Sequence, residues 1–167
     1  KFCSKLLANF NNILEIGCGD AFSSTIVSQT VENLVCTDIN KQLLIKNKKR
    51  MNHFKNIQFR YHDFLEKPFK AKMDGIYLID VIEHIFKNEE KFFFKNIIDS
   101  LNNHGVCIIG TPNKSSSKYS SEYSKKYHVN LKDYKNLQKI GKKYFHNSFL
   151  FSMNDEVVHT GFYQMSH

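Results

Sequence analysis

Ile13-Leu14-Glu15-Ile16-Gly17-Cys18-Gly19-Asp20-Ala21 runs from a short apolar segment into two glycines. The spacing predicts a buried strand over residues 12–16 and a helix over residues 23–30. Glycine at such a turn lets the backbone fold tightly and meet a ligand without a Cβ in the way. The helix that follows turns its first free N–H groups toward the same place. A second strand, residues 33–38, ends on an acid, Asp38. An acid about 20 residues after a glycine loop is placed to bond ribose hydroxyls. Asp38 can also serve a nearer purpose, capping a helix that begins at Asn40. Read together, loop and acid imply an adenosyl ligand. A dinucleotide site needs a small residue at the third position of G-x-G-x-x-G, and Phe22 stands there. A phosphate-binding P-loop is excluded, because no G-x-x-x-x-G-K-S/T occurs.

Outward from the loop, strand-like and helix-like segments alternate, the pattern of a parallel α/β sheet. Residues 41–51 read as a helix, 57–61 as a strand and 75–79 as a buried strand. Residues 89–101 carry Phe92, Phe93, Ile97, Ile98 and Leu101 at helical spacing. Residues 105–110 form another strand, stopped by Thr111-Pro112-Asn113. Residues 114–130 break the rhythm; rich in Ser, Lys and Tyr, they read as a surface insertion, with a lid over a substrate and disorder as the two readings. A helix over 131–140 follows. Two last strands, 145–153 and 159–165, turn around Asn154-Asp155 and would pair antiparallel.

A chain of 167 residues bounds the answer at one domain with one core. It opens on Lys1 and stops at His167, which reads as a domain truncated at one or both ends. There is no secretory pattern and no apolar run near the ~20 residues of a membrane span. Cys3, Cys18, Cys36 and Cys107 form no C-x-x-C pair, so their spacing does not suit a zinc site of cysteines, and buried thiols in a reducing cytoplasm are expected. The net charge of +8 invites a nucleic-acid partner. The positive residues are nearly all lysine and spread along the chain, with Arg50 and Arg60 the only arginines. A small-molecule partner is favoured. The densest basic run, Lys46, Lys48, Lys49 and Arg50, reads as a solvated helix face.

Glu15, Gly17 and Gly19 resemble the E/D-x-G-x-G-x-G motif of class I S-adenosylmethionine (SAM)-dependent methyltransferases, with Ala21 in place of the third glycine. The resemblance covers nearly the whole chain and is nearest to ubiquinone-pathway O-methyltransferases. It implies a Rossmann-like three-layer α/β sandwich, with a mostly parallel seven-stranded sheet and an antiparallel last strand. The usual helix before the first strand is largely missing. The resemblance also implies that Glu15, Gly17, Cys18 and Gly19 hold the cofactor SAM, together with Asp38 and Ile39. Glu15 would accept hydrogen bonds near the methionine portion or orient the loop. Asp63 and Phe64 would meet the adenine edge, although Asp63 also fits a simple turn. Ile79 and Asp80 would complete the cofactor site.

Asp80, Glu83 and His84 follow a predicted strand at its carboxyl end, the ligand-binding edge of such sheets. At i, i+3 and i+4 they share one face of a helical turn. Two carboxylates and an imidazole can hold a divalent metal, and His128, after the insertion, can close the set. The pattern resembles the small-RNA 3′-terminal 2′-O-methyltransferases and the ubiquinone-pathway enzymes, in which a Mg-type ion grips the acceptor's oxygens. Asp80 stands where the RNA enzymes have Glu. His84 or His128 can also act as the general base, since imidazole titrates near neutral pH. Packing is the third reading of the cluster. His159, in the junction before the last strand, has an acceptor-pocket reading and a hairpin reading. The expected reaction is methylation of a hydroxyl on a small metabolite or sugar. RNA 2′-O-methylation and a non-catalytic SAM- or RNA-binding module are the alternatives, and Phe22 counts against a nicotinamide oxidoreductase. The Asn/Asp-Pro-Pro-Tyr/Phe motif of amino-methylating DNA enzymes is absent, where the chain reads Ile79-Asp80-Val81-Ile82-Glu83-His84.

Overall fold

The computed structural model describes residues 1–115 and 120–152. Two compact units divide the chain, Lys1–Asp133 and Tyr134–His167. The first contains α1 (Phe2–Leu6), β1 (Asn12–Ile16), α2 (Ser24–Ser28), β2 (Asn33–Asp38), α3 (Lys41–Arg50) and β3 (Ile57–Tyr61). It continues through β4 (Met73–Ile79), α4 (Glu90–Ser100), β5 (Leu101–Gly110) and α5 (Glu122–Tyr127). The second begins with α6 (Tyr134–Tyr144).

The strands form one sheet in the order β3-β2-β1-β4-β5, every pair parallel. The chain builds outward from β1 to β3, then returns to lay β4 on the other side of β1. This reversal opens a crevice at the carboxyl ends of β1 and β4, where open α/β sheets bind ligands. The expected Rossmann-like class is present, but the described sheet has five strands, and the expected antiparallel last strand is not shown. Residues 145–152 take no strand conformation. A strand exists only where ladder bonds have a partner, and alternation in sequence cannot supply one. Residues 159–165, their turn and His159 lie outside the described residues.

Burial explains why the runs fold as they do. β1 and β4 are covered on both faces, so their sequences are nearly continuous apolar runs. Leu7, Ile13, Leu34, Cys36 and Tyr77 belong to one buried cluster. α3 starts at Asn40, whose side chain accepts from the Leu43 amide at 3.1 Å. α4 buries Phe93, Phe94 and Ile97 along one stripe. Its last residue, Ser100, donates to the Asn96 carbonyl at 2.6 Å and accepts the Phe69 amide at 2.8 Å. β5 begins four residues before the expected strand, with a register shift against β4 between Met73 and Gly75. A five-residue α1 precedes β1, where the resemblance left a helix largely missing.

The 114–130 insertion contains α5, capped by Ser121, whose Oγ accepts the Ser124 amide at 3.1 Å. Its two ends meet: Asn113 bridges Lys132, and the Lys114 amide donates to the Lys132 carbonyl at 2.8 Å. In the second unit, the Phe145 amide donates to the Gly141 carbonyl at 3.0 Å. All four cysteines are free. Among the described residues no helix is long and apolar enough to cross a membrane.

Candidate functional site

The loop after β1 is built from left-handed backbone. Gly17, Gly19 and Ala21 have φ of 70°, 53° and 57°. Alanine rarely adopts that region, at a cost of roughly 1–2 kcal/mol, yet Ala21 is wholly buried and its amide is held by the Cys18 carbonyl at 2.8 Å. A Cβ on Gly17 would meet Val81 Cγ2 at 2.6 Å, so the residue after the β4 end packs directly over the loop. A Cβ on Gly19 would meet nothing within 4 Å. That open side is where a ligand can approach the backbone.

β2 holds the loop from beneath. The Gly17 and Cys18 amides both donate to the Thr37 carbonyl, at 2.9 and 3.0 Å. The Gly19 amide donates to Asp38 Oδ2 at 3.0 Å, and Asp38 Oδ1 accepts the Asn40 amide at 2.8 Å. Asp38 therefore turns the backbone into α3 and grips the loop, while Asn40 is the helix cap. A carboxylate has about four lone-pair sites, so two acceptor positions remain for a pair of ribose hydroxyls. Ile39 and Ile79, at the ends of β2 and β4, are exposed apolar side chains at this same edge. The arrangement fits an adenosyl ligand: hydroxyl acceptors, apolar walls and an open glycine.

Glu15 is buried and faces the protein rather than the crevice. The Ser24 hydroxyl donates to its Oε2, and the Cys36 thiol lies 3.3 Å from the same oxygen. Burial pushes its carboxyl above the ordinary range, against the pull of those hydrogen bonds. It ties β1 and β2 to the start of α2, which is the loop-orienting alternative. Cys18 is equally inward, its thiol pushed up to about 12 by burial, with the charges of Glu15 and Asp38 adding. Phe64 is also a core residue, its ring 6.3 Å from Phe93 and edge-on to it. Asp63 makes a turn, Oδ1 accepting the Leu65 amide at 2.8 Å.

The second half of the site is the turn after β4. Asp80 has φ 55° and donates its amide to the Gly110 carbonyl at 2.9 Å, fixing where β4 stops. A single 3-10 turn over Ile82–His84 follows. Glu83 points inward, Oε2 accepting from Thr111 Oγ1 at 2.9 Å, while its buried Oε1 has no partner among the described residues. Burial raises its carboxyl above the ordinary range. His84 is exposed, with Nδ1 3.0 Å from the Tyr127 carbonyl. A carbonyl only accepts, so Nδ1 carries hydrogen and Nε2 keeps its lone pair when the ring is neutral. His128 lies edge-on to His84 with ring centroids 5.0 Å apart, and its buried Nδ1 has no partner among the described residues.

Ligand atoms of Glu83, His84 and His128 all lie within 4.8 Å of one another. Asp80 is not in that group. The backbone brings His128 there: the Asn130 amide donates to the Glu83 carbonyl at 3.0 Å, and Asn130 Nδ2 donates to the Ile85 carbonyl at 2.8 Å. Two buried polar atoms without partners in one cluster fit a bound cation or a shared proton. Sequence reasoning missed Thr111, Val81 and Asn130. Thr111 carried a signal, since a Thr-Pro-Asn directly after a strand stands at the ligand edge.

The family model described as "Methyltransferase domain" matches residues 14–109. A curated relative, carboxy-S-adenosyl-L-methionine synthase of Helicobacter pylori (strain G27), is 28% identical over 101 residues, 59% of this chain. The match spans only 42% of that relative's length. Among solved structures, the N-methyltransferase NodS of Bradyrhizobium japonicum WM9 aligns with TM-score 0.69 at 15% identity, over 84% of this chain and 76% of that one. The methyltransferase domain of a bacterial Hen1, CtHen1-CN, aligns with TM-score 0.66 at 20% identity, over 86% of this chain and 80% of that one. The family model matches more than half of the chain, and the chain belongs to the class I SAM-dependent methyltransferases.

Proposed function

We propose that this chain transfers the methyl group of SAM to a hydroxyl on a small metabolite or sugar. The observation that carries the reading is the joining of the glycine loop to the β2 acid, Gly19 amide to Asp38 Oδ2 at 3.0 Å. That unit supports ribose binding by Asp38, with Gly17 and Gly19 giving close approach and Ile39 and Ile79 flanking the base. Bound SAM supplies an electrophilic methyl on a sulfonium, so the protein's task is chiefly alignment and removal of the acceptor's proton. His84 is the base, because Tyr127 fixes its Nδ1 and leaves Nε2 to accept the proton. His128 and Glu83 stand beside it to take up the charge.

A second reading is favoured by the partnerless Glu83 Oε1 and His128 Nδ1: with His84 they hold a divalent ion. Carboxylate and imidazole together suit ions such as Mg²⁺ or Mn²⁺, and such an ion would acidify a hydroxyl bound to it. Asp80 joins this set only through a different side-chain direction. Four free thiols support a reducing, cytoplasmic setting.

Calorimetric titration with SAM and with S-adenosylhomocysteine tests the central reading. Asp38→Ala should weaken both by roughly a hundredfold, the loss of two charge-assisted hydrogen bonds. No binding by the wild-type chain, or equal binding by the variant, overturns it.

A further inference from the structure

The outer wall of the cofactor loop is held from a helix that nothing above assigns to the site. Asn47, on α3, is 1% exposed. Its Nδ2 donates to the Gly19 carbonyl at 2.7 Å. Its Oδ1 accepts from Arg50 Nη2 at 3.1 Å. Arg50 in turn donates to the Asp20 carbonyl and stacks over the Phe22 ring, 4.0 Å from its centroid. Asp20 Oδ1 accepts the Phe22 amide at 3.2 Å, which closes the turn. Gly19 is thus gripped at both of its peptide groups, its amide by Asp38 and its carbonyl by Asn47.

We propose that Asn47, braced by Arg50, is a positioning residue that sets the cofactor loop before SAM arrives. The physical reason lies in the backbone of the loop. Ala21 is strained in the left-handed region, and the two glycines, which enter it freely, lose much conformational freedom when fixed there. Free of restraint, the Gly19 peptide can rotate, because glycine has no Cβ to stop it. The carbonyl that Asn47 holds lies in the Gly19–Asp20 peptide, one peptide after the amide that meets Asp38, so turning it changes the Gly19 backbone and lets the preceding amide drift off Asp38, which is then free to swing away from the ribose hydroxyls. The Asn47 donor blocks that rotation. Phe22, which sequence reasoning used only to exclude a dinucleotide, becomes the plate on which the brace rests.

The inference rests on residues 17–21 being the cofactor loop, and the test keeps the two readings apart. Asn47→Asp retains the shape and strengthens the contact with Arg50, but faces the Gly19 carbonyl with an acceptor in place of a donor. It also adds a negative charge near a cationic ligand, which by simple electrostatics would tighten SAM. The clamp requires the opposite. Calorimetry on the full chain should show SAM and S-adenosylhomocysteine both weakened at least tenfold, by the same factor despite their different charge. The rate at saturating SAM should stay within about twofold, the mark of lost uniform binding. Arg50→Lys keeps the charge but loses the fork, and should weaken both ligands about threefold with an unchanged melting temperature. Wild-type binding with both variants within twofold overturns the clamp alone. Absence of binding by the wild type overturns the loop reading and the clamp with it.

Discussion

Gly19 gives its amide hydrogen to Asp38 Oδ2 at 3.0 Å, so the glycine loop and the acid that ends β2 are one hydrogen-bonded unit. The amide should therefore exchange slowly with solvent in the free protein. In Asp38→Ala it should exchange faster by roughly tenfold or more, the worth of a charge-assisted hydrogen bond. Neighbouring β1 amides should keep their protection. Amide exchange followed by NMR on the ligand-free chain checks this, and equal Gly19 protection in both proteins would show the bond to be absent.

Gly17 is fixed by two separate constraints, its φ of 70° and the 2.6 Å approach of Val81 Cγ2 to the place of a Cβ. Gly17→Ala meets both. It should destabilise the fold by about 2 kcal/mol in urea titration, part from the left-handed backbone and part from the clash. Adding Val81→Ala removes only the clash. The pair should therefore lose less than the sum of the two single changes, by about 1 kcal/mol. Strict additivity would mean that Val81 does not press on the loop.

Much of this was legible in the sequence, and the reason is local. Glycine is favoured where φ is positive, and the acid that ends the next strand lies at a recognisable spacing, so Gly17, Gly19 and Asp38 stand out in the sequence. The central strands β1 and β4 are legible because burial on both faces leaves apolar runs such as residues 75–79. Contacts made across the fold leave weaker marks. Asn47 reads as an ordinary helical residue until Leu44 and Asn47 prove to share the buried side of α3. A polar residue on an apolar stripe was the signal. Glu15 shows what the motif leaves open: its position fits either a contact near the methionine portion or a hold on the loop, and its bonds to Ser24 and Cys36 come from the fold. Periodicity reports burial, not the direction of a carboxylate.

Glu15 has a pH consequence. Burial raises its carboxyl above the ordinary value of 4.5, so the folded state holds the proton more tightly than the unfolded state. Its contribution to stability is complete below 4.5 and is lost as pH rises through the folded-state value. Glu15→Gln mimics the protonated form, keeping an oxygen to accept from Ser24 and Cys36. Melting temperatures of the two proteins should be close at acidic pH. The variant should gain an advantage as pH rises above 4.5, and the gain should level off once the wild-type group has ionised. A constant difference across the range would show that Glu15 does not titrate with folding.

Lys132 and Glu90 form a buried ion pair, their side chains 6% and 21% exposed. Asn130 Nδ2 also donates to Glu90 Oε1, at 2.9 Å, so Glu90 anchors the return of the insertion. Glu90→Ala leaves the Lys132 ammonium buried without a counter-ion and should destabilise by about 3 kcal/mol. Glu90→Leu with Lys132→Met removes both charges and should recover most of that in urea titration. The double variant should still have reduced methyl transfer, because Asn130 loses a partner and His128 loses its fixed place. Full activity in the double variant would show that the ion pair supports the fold without placing His128.

His84 and His128 separate the two chemical readings of the site. As the base, His84 accepts the proton at Nε2, and its ring is held by the Tyr127 carbonyl. His84→Gln keeps a donor for that carbonyl but has no group that titrates, so the rate at saturating SAM should fall by roughly 10²–10⁴-fold, the range for general-base catalysis. SAM affinity should hold, since His84 lies outside the loop and Asp38. His128→Gln should act on the rate less, because its Nδ1 is buried and its part is to share charge. A divalent ion changes the expectation. With Glu83, His84 and His128 as its ligands, each substitution alone should abolish ion binding, and EDTA dialysis should remove activity that Mg²⁺ or Mn²⁺ restores. Full activity after EDTA, together with a large loss in His84→Gln, assigns the proton to His84 and leaves Glu83 and His128 as its electrostatic support. Activity lost to EDTA and equally to Glu83→Gln and His128→Gln assigns the work to the ion.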